Sequence, residues 1–155
     1  MPFHIDIRGR APGKAWIALK GDIDETASFA AILALDTKAL VLDLSEVKRI
    51  NSVGVREWVA FVSALTERNV DVVFERCSVP IVQQLNTIVS FRGRGVVASV
   101  FAPYYCRKCD HDHRHLLELS GDLPELDAAM HCPKCGGLLE FDEIAQTYLG
   151  FAGET

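Results

Sequence analysis

The residues with the sharpest chemistry in this sequence are its cysteines. Cys106-Arg107-Lys108-Cys109 and Cys132-Pro133-Lys134-Cys135 form two Cys-x-x-Cys pairs, separated by residues 110–131. A short turn of this kind aims two thiolates at one point, and a tetrahedral ion needs two such turns to close its shell. The spacing therefore predicts a zinc ion held by Cys106, Cys109, Cys132 and Cys135. Gly136 and Gly137 follow the last ligand, where glycine lets a turn wrap the ion. Four thiolates leave no open position, so the expected ion is structural, not catalytic. The fifth cysteine, Cys77, stands apart and is expected to be an inert, buried thiol. An odd cysteine count with paired spacing argues for metal over disulfides.

Histidines crowd the same region: His111, His113, His115 and His131. They are alternatives to a cysteine ligand, or ligands for a second ion. The run Asp110-His111-Asp112-His113-Arg114-His115 nevertheless reads as a solvated loop. No nucleophile–base pair, phosphate-cradling glycine loop or open metal site is visible, so the expectation is a protein that is not an enzyme.

The elements that must position the cysteines are short. Leu116–Leu119 and Leu138–Phe141 read as strands, and with the two knuckles the pattern resembles a zinc ribbon. Such a segment can hardly bury a core unaided; zinc binding supplies roughly 10–16 kcal/mol of folding free energy in small modules. From Glu143, the spacing of Ile144, Tyr148 and Phe151 predicts a short helix. Its apolar side is expected to pack on the ribbon, on the rest of the chain, or on a partner.

Upstream, Phe3, Ile5 and Ile7 alternate with polar residues, which predicts a strand, with His4 on its wet face. After the turn Arg8–Gly13 a second strand over Lys14–Lys20 completes a hairpin. Asp24 is positioned to cap a helix carrying Phe29, Ile32 and Leu33. Ala39–Leu44 is an apolar run broken only by Asp43, as suits a strand buried on both faces. Val55, Trp58, Val59, Val62 and Leu65 recur at helical spacing behind a cap at Asn51 or Ser52. Val70–Glu75 predicts a fourth strand, Ser78–Val89 a helix opened by Pro80, and Val96–Phe101 a fifth strand. The expected class is α/β, a mixed four- to five-stranded sheet with helices over residues 1–103, followed by a small zinc ribbon over 104–155.

The motif Val41-Leu42-Asp43-Leu44-Ser45-Glu46-Val47, then Ile50-Asn51-Ser52-Val53-Gly54-Val55, resembles the centre of STAS domains, the fold of anti-sigma factor antagonists and sulfate-transporter tails. The element order over residues 3–101 is similar to theirs, and so is Gly21-Asp22-Ile23-Asp24 before a helix. The resemblance implies that Asn51, Ser52, Val53, Gly54 and Arg56 form a partner-docking surface. In the antagonists the second serine of the motif is phosphorylated by a partner kinase. Val53 stands at that place, so the family's switch cannot operate there, and Ser52 is the hydroxyl left for phosphorylation. The implied function is that of a regulatory or scaffold protein with anti-sigma-like, kinase-like or other signalling partners.

Charge bears on the alternatives. The chain carries a net −5, and the acidic excess lies after residue 103. Phosphate affinity comes mainly from Lys and Arg, so nucleic acid is disfavoured as a partner. Binding of nucleic acid or transcription machinery through the ribbon is the alternative reading, with Arg107, Lys108 and Lys134 as its basic groups. No apolar run reaches membrane-spanning length. The N-terminus lacks a basic region followed by an apolar core, so the expected setting is cytoplasmic. Homo-oligomerisation stays open.

Overall fold

A computed structural model describes residues 1–126 and 129–153. Strand β1 (His4–Ala11) turns at Gly13 into β2 (Lys14–Ile23), the expected antiparallel hairpin. A four-residue helix α1 (Ala30–Leu33) precedes β3 (Ala39–Ile50), which runs parallel to β2. Helix α2 (Ser52–Glu67), β4 (Asp71–Glu75), helix α3 (Val79–Thr87) and β5 (Val96–Val97) follow, and β3, β4 and β5 are parallel neighbours. Among the described residues this gives a five-stranded mixed sheet in the order β1-β2-β3-β4-β5.

Period-two alternation sorts the side chains. Leu40, Leu42 and Leu44 of β3 are buried in one core with Ile17 and Leu19 of β2 and Phe74 of β4. Trp58 and Phe61 of α2 stack and edge against Phe29 and Phe91, and Trp58 donates its indole N–H to the Phe91 carbonyl at 2.8 Å. That bond lets a large aromatic be buried without an orphaned donor.

The chain then leaves the first sheet within a single residue. Ala98 separates β5 from β6 (Ser99–Cys106), and β6 belongs to a second sheet. The predicted single strand over Val96–Phe101 is thus two, one in each sheet. In the second sheet β6 pairs antiparallel with β7 (His111–Glu118) and with β9 (Leu138–Phe141), and β8 (Met130–His131) pairs with β9. The order is β7-β6-β9-β8. Position 103 lies inside β6, and Cys77 bridges to Val100, so the backbone passes between the sheets without a spacer.

Helix α4 (Ala145–Tyr148) and a 3-10 turn (Gly150–Gly153) close the chain. This segment packs on both parts. Tyr148 donates its hydroxyl to the Phe101 carbonyl at 2.6 Å, and Asn86 of α3 bonds both Tyr148 O (2.8 Å) and Phe151 N (2.9 Å). Phe141 meets Tyr104 and Tyr148 edge-on. Among the described residues no helix is long and apolar enough to cross a membrane.

Three further expectations are corrected. Asp24 caps no helix: its carboxylate accepts from Thr26 N (2.9 Å) and Thr26 Oγ1 (2.6 Å), a local turn, and α1 starts only at Ala30. Strand β3 does not stop at Leu44 but continues to Ile50, paired to β2 through bulges at Ala18/Lys20 and Gly21/Asp22. His111, His113 and His115 lie in β7, not in a loop, because β6 supplies a backbone ladder along the whole run.

Candidate metal centre

The topology explains how cysteines far apart in sequence converge. Strand β6 sits between β7 and β9, and its last residue, Cys106, is in register with both His111 and Leu139. The β6–β7 turn carries Cys106 and Cys109, and the β8–β9 turn carries Cys132 and Cys135. Both turns therefore emerge at the same end of one sheet.

The two turns share a backbone design. The residue after each second cysteine has left-handed geometry, Asp110 at φ 53° and Gly136 at φ 72°. Glycine takes this conformation freely; Asp110 is held there by the Tyr105 hydroxyl, 2.5 Å from its carboxylate. Gly136 N bonds Cys132 O at 2.9 Å, and Cys132 N bonds Gly137 O at 2.7 Å, closing the second turn.

The four sulfurs lie within 4.8 Å of one another. Cys106 and Cys135 are 3.4 Å apart at sulfur, and Cys109 and Cys132 are 3.7 Å apart. A disulfide needs about 2.0 Å, so these are not bonded pairs. A tetrahedral ion with metal–sulfur bonds of about 2.3 Å has ligand edges of about 3.8 Å. The Cys106–Cys135 and Cys109–Cys132 spacings are near that edge length, and the donor set could hold a metal ion.

Electrostatics prepare the thiolates unequally. The backbone N–H of Cys109 holds the Cys106 thiol below its ordinary value, against desolvation. Burial opposes ionisation of Cys132, but N–H groups of Cys135 and Lys134 outweigh it and bring that thiol down to about 7. In each turn, then, the first cysteine is turned toward thiolate by the N–H groups behind it. Burial and the neighbouring thiols push Cys109 up to about 12. Four sulfurs at this spacing cannot all ionise without a cation among them.

The histidines are not brought into this cluster; among the described residues the four cysteines are the one group of His, Cys, Asp and Glu ligand atoms close enough to share an ion. His113 stacks on His115, and His115 meets Tyr104 edge-on. His131 places Nδ1 3.1 Å from the Gly136 carbonyl, bracing the second turn. Cys77 is fully buried, and burial, with the charges of Asp43 and Glu75, pushes its thiol far up.

The second set of sequence-predicted residues lies elsewhere, at the β3–α2 corner. Asn51 is the N-cap of α2: its carbonyl accepts from Gly54 N at 2.8 Å and its amide donates to Glu25 at 3.0 Å. Ser52 and Arg56 are exposed, Val53 half-buried, and Gly54 buried. A Cβ on Gly54 would stand 1.9 Å from the Ile23 carbonyl oxygen, so Gly54 is what lets α2 approach β2.

One constellation escaped sequence reasoning. Asp43 is only 6% exposed, yet its carboxylate holds Arg8 (2.9 Å) and Arg76 (3.5 Å) and accepts from Ser45 N. Arg114 of β7 reaches the Ser45 carbonyl at 3.0 Å and lies over the Phe101 ring. These residues tie the two sheets together. The signal was the lone acid in an apolar strand, which must be paired if buried.

No protein-family model matches the chain, and no curated protein matches it.

Proposed function

We propose that this chain is a non-enzymatic regulatory or scaffold protein, a STAS-like domain whose C-terminal end is a structural zinc ribbon. The observation that carries the reading is the ligand set. Four cysteine sulfurs within 4.8 Å of one another would saturate a zinc ion, leaving no position for a substrate or an activated water. Zinc is the choice because an all-thiolate tetrahedral site suits it. The ion's work is then mechanical: it clamps the β6–β7 and β8–β9 turns and so fixes that end of the second sheet.

In this reading the docking surface is the β3–α2 corner, with Asn51, Ser52, Val53 and Arg56 facing a protein partner and Gly54 supporting them. A phosphate on Ser52 would sit at the positive end of a 16-residue helix, where negative charge is favoured. Partners would be anti-sigma-like kinases or other signalling components. The nucleic-acid alternative is weaker, since Arg107, one of three basic residues on the turns, is already paired with Glu140 at 3.1 Å.

Affinity co-purification from the native cells, with mass spectrometry of Ser52, tests this. A kinase-like partner with phosphate on Ser52 makes the protein a partner switch, and unmodified protein with signalling or structural components makes it a scaffold. Recovery of nucleic acid or transcription machinery alone would contradict the reading.

A further inference from the structure

The loop Phe91-Arg92-Gly93-Arg94-Gly95 joins α3 to β5 and packs closely on the elements beneath it. A Cβ on Gly95 would stand 2.3 Å from the Phe74 ring, and one on Gly93 (φ 54°) 2.7 Å from Val62. Two glycines pressed against the core thus fix the directions of the two arginines. Arg94 is spent on Thr66 O and the Asn69 side chain, at 2.7 and 3.3 Å. Arg92 is half-buried, and among the described residues its side chain has no ion pair or hydrogen bond. A guanidinium partly removed from water and left unpaired is costly, and an anion beside it would recover that cost.

The surroundings fit such an anion. Two hollows, of about 440 and about 450 Å³, meet at Arg92, Gly93 and Phe151, where the C-terminal segment lies against the first sheet. Among the described residues no acidic side chain lines either; Glu125 lines a neighbouring hollow that shares Leu123. Apolar side chains that water should disfavour collect on their walls: Val89 is 96% exposed, Val96 61% and Leu123 44%. The walls of both hollows mix polar and apolar surface around the Arg92 guanidinium, and the volumes fall in the usual range of small-molecule sites.

We propose that these joined hollows bind a small organic anion, a carboxylate or phosphate ester on an apolar body, with Arg92 receiving the charge and Val96, Leu123 and Phe151 receiving the body. The site bridges both sheets, so occupancy favours their present arrangement. It is independent of the β3–α2 corner and of the cysteine cluster.

The test uses the full, metal-loaded chain and four probes: octanoate, octyl phosphate, octanol and inorganic phosphate. Binding is followed by calorimetry and by amide NMR shifts. Octanoate or octyl phosphate should bind and shift Arg92, Gly93 and Phe151, and which binds tighter identifies the headgroup. Arg92→Gln should weaken that binding about tenfold or more, the scale of a lost charged hydrogen bond, with Arg92→Lys keeping part of it. Val96→Glu, which puts a like charge on the wall, should weaken it as well. The proposal is overturned if neither octyl anion binds, if octanol or inorganic phosphate binds equally well, or if folded Arg92→Gln binds unchanged.

Discussion

Gly54→Ala is the substitution that separates packing from docking at the β3–α2 corner. The added methyl would sit 1.9 Å from the Ile23 carbonyl oxygen, with the carbonyl carbon at 2.6 Å. Ordinary contact is about 3.4 Å or more, and both of these atoms are backbone, so neither can swing aside as a side chain would. The relief available is to push the start of α2 away from the end of β2. That also strains the bond from Asn51 N to Ile23 O and the Asn51 cap. Overpacking of this kind costs about 1–3 kcal/mol, and a backbone-on-backbone clash belongs at the upper end. Alanine returns up to about 1 kcal/mol of helix propensity. The net expectation is about 2 kcal/mol of destabilisation, or a Tm lower by about 4–8 °C for a chain of this size. Urea unfolding followed by circular dichroism measures it, with Ser52→Ala as control. Ser52 is exposed at the first helical position, so its replacement should stay within about 0.5 kcal/mol. A Gly54→Ala protein as stable as the parent would refute the close approach of α2 to β2.

Other outcomes follow from the same contacts. Asn51→Ala should cost about 1 kcal/mol in urea unfolding, because one side chain both caps α2 and holds Glu25. Tyr148→Phe should cost about 1 kcal/mol by the same assay, since it strips the Phe101 carbonyl of a buried donor. Cys77 should resist iodoacetamide in the folded chain while the other four cysteines react once a chelator is present, as peptide mass mapping would show. Burial raises both Cys77 and Tyr148 above their ordinary values of 9.0 and 10.0. Above those values the unfolded chain ionises and the folded chain resists, so stability should fall as pH climbs beyond about 9, measured by urea titration.

Where the sequence was legible, local signals and tertiary structure agreed. The β1–β2 hairpin had period two and a glycine turn, α2 had an unbroken apolar stripe behind Asn51, and each cysteine pair carried its own turn. Where it misled, the deciding partner was distant. The apolar run ended at Leu44, yet β2 supplies a parallel edge that keeps β3 extended to Ile50. The alternating acids and histidines of 111–115 have no apolar face, but the registered pairing of β7 with β6 holds them as strand. Asp24 offered a cap and found a nearer donor in Thr26. The change of sheet at Ala98 has no local signature, because β5 and β6 read as one apolar run until their neighbours are known. The Arg8–Asp43–Arg76 grouping needed two strands and a loop brought together before it existed at all.

The account rests most heavily on one ion clamped by four thiolates. Elemental analysis of the purified chain by inductively coupled plasma mass spectrometry, with native mass spectrometry of the parent and of Cys132→Ser, measures this directly. One zinc per chain is expected, lost on substitution of Cys132 and unaffected when His111, His113 and His115 are replaced together. A chain that holds no metal with all cysteines reduced, or one that loses its metal with the histidines and not with Cys132, would contradict it.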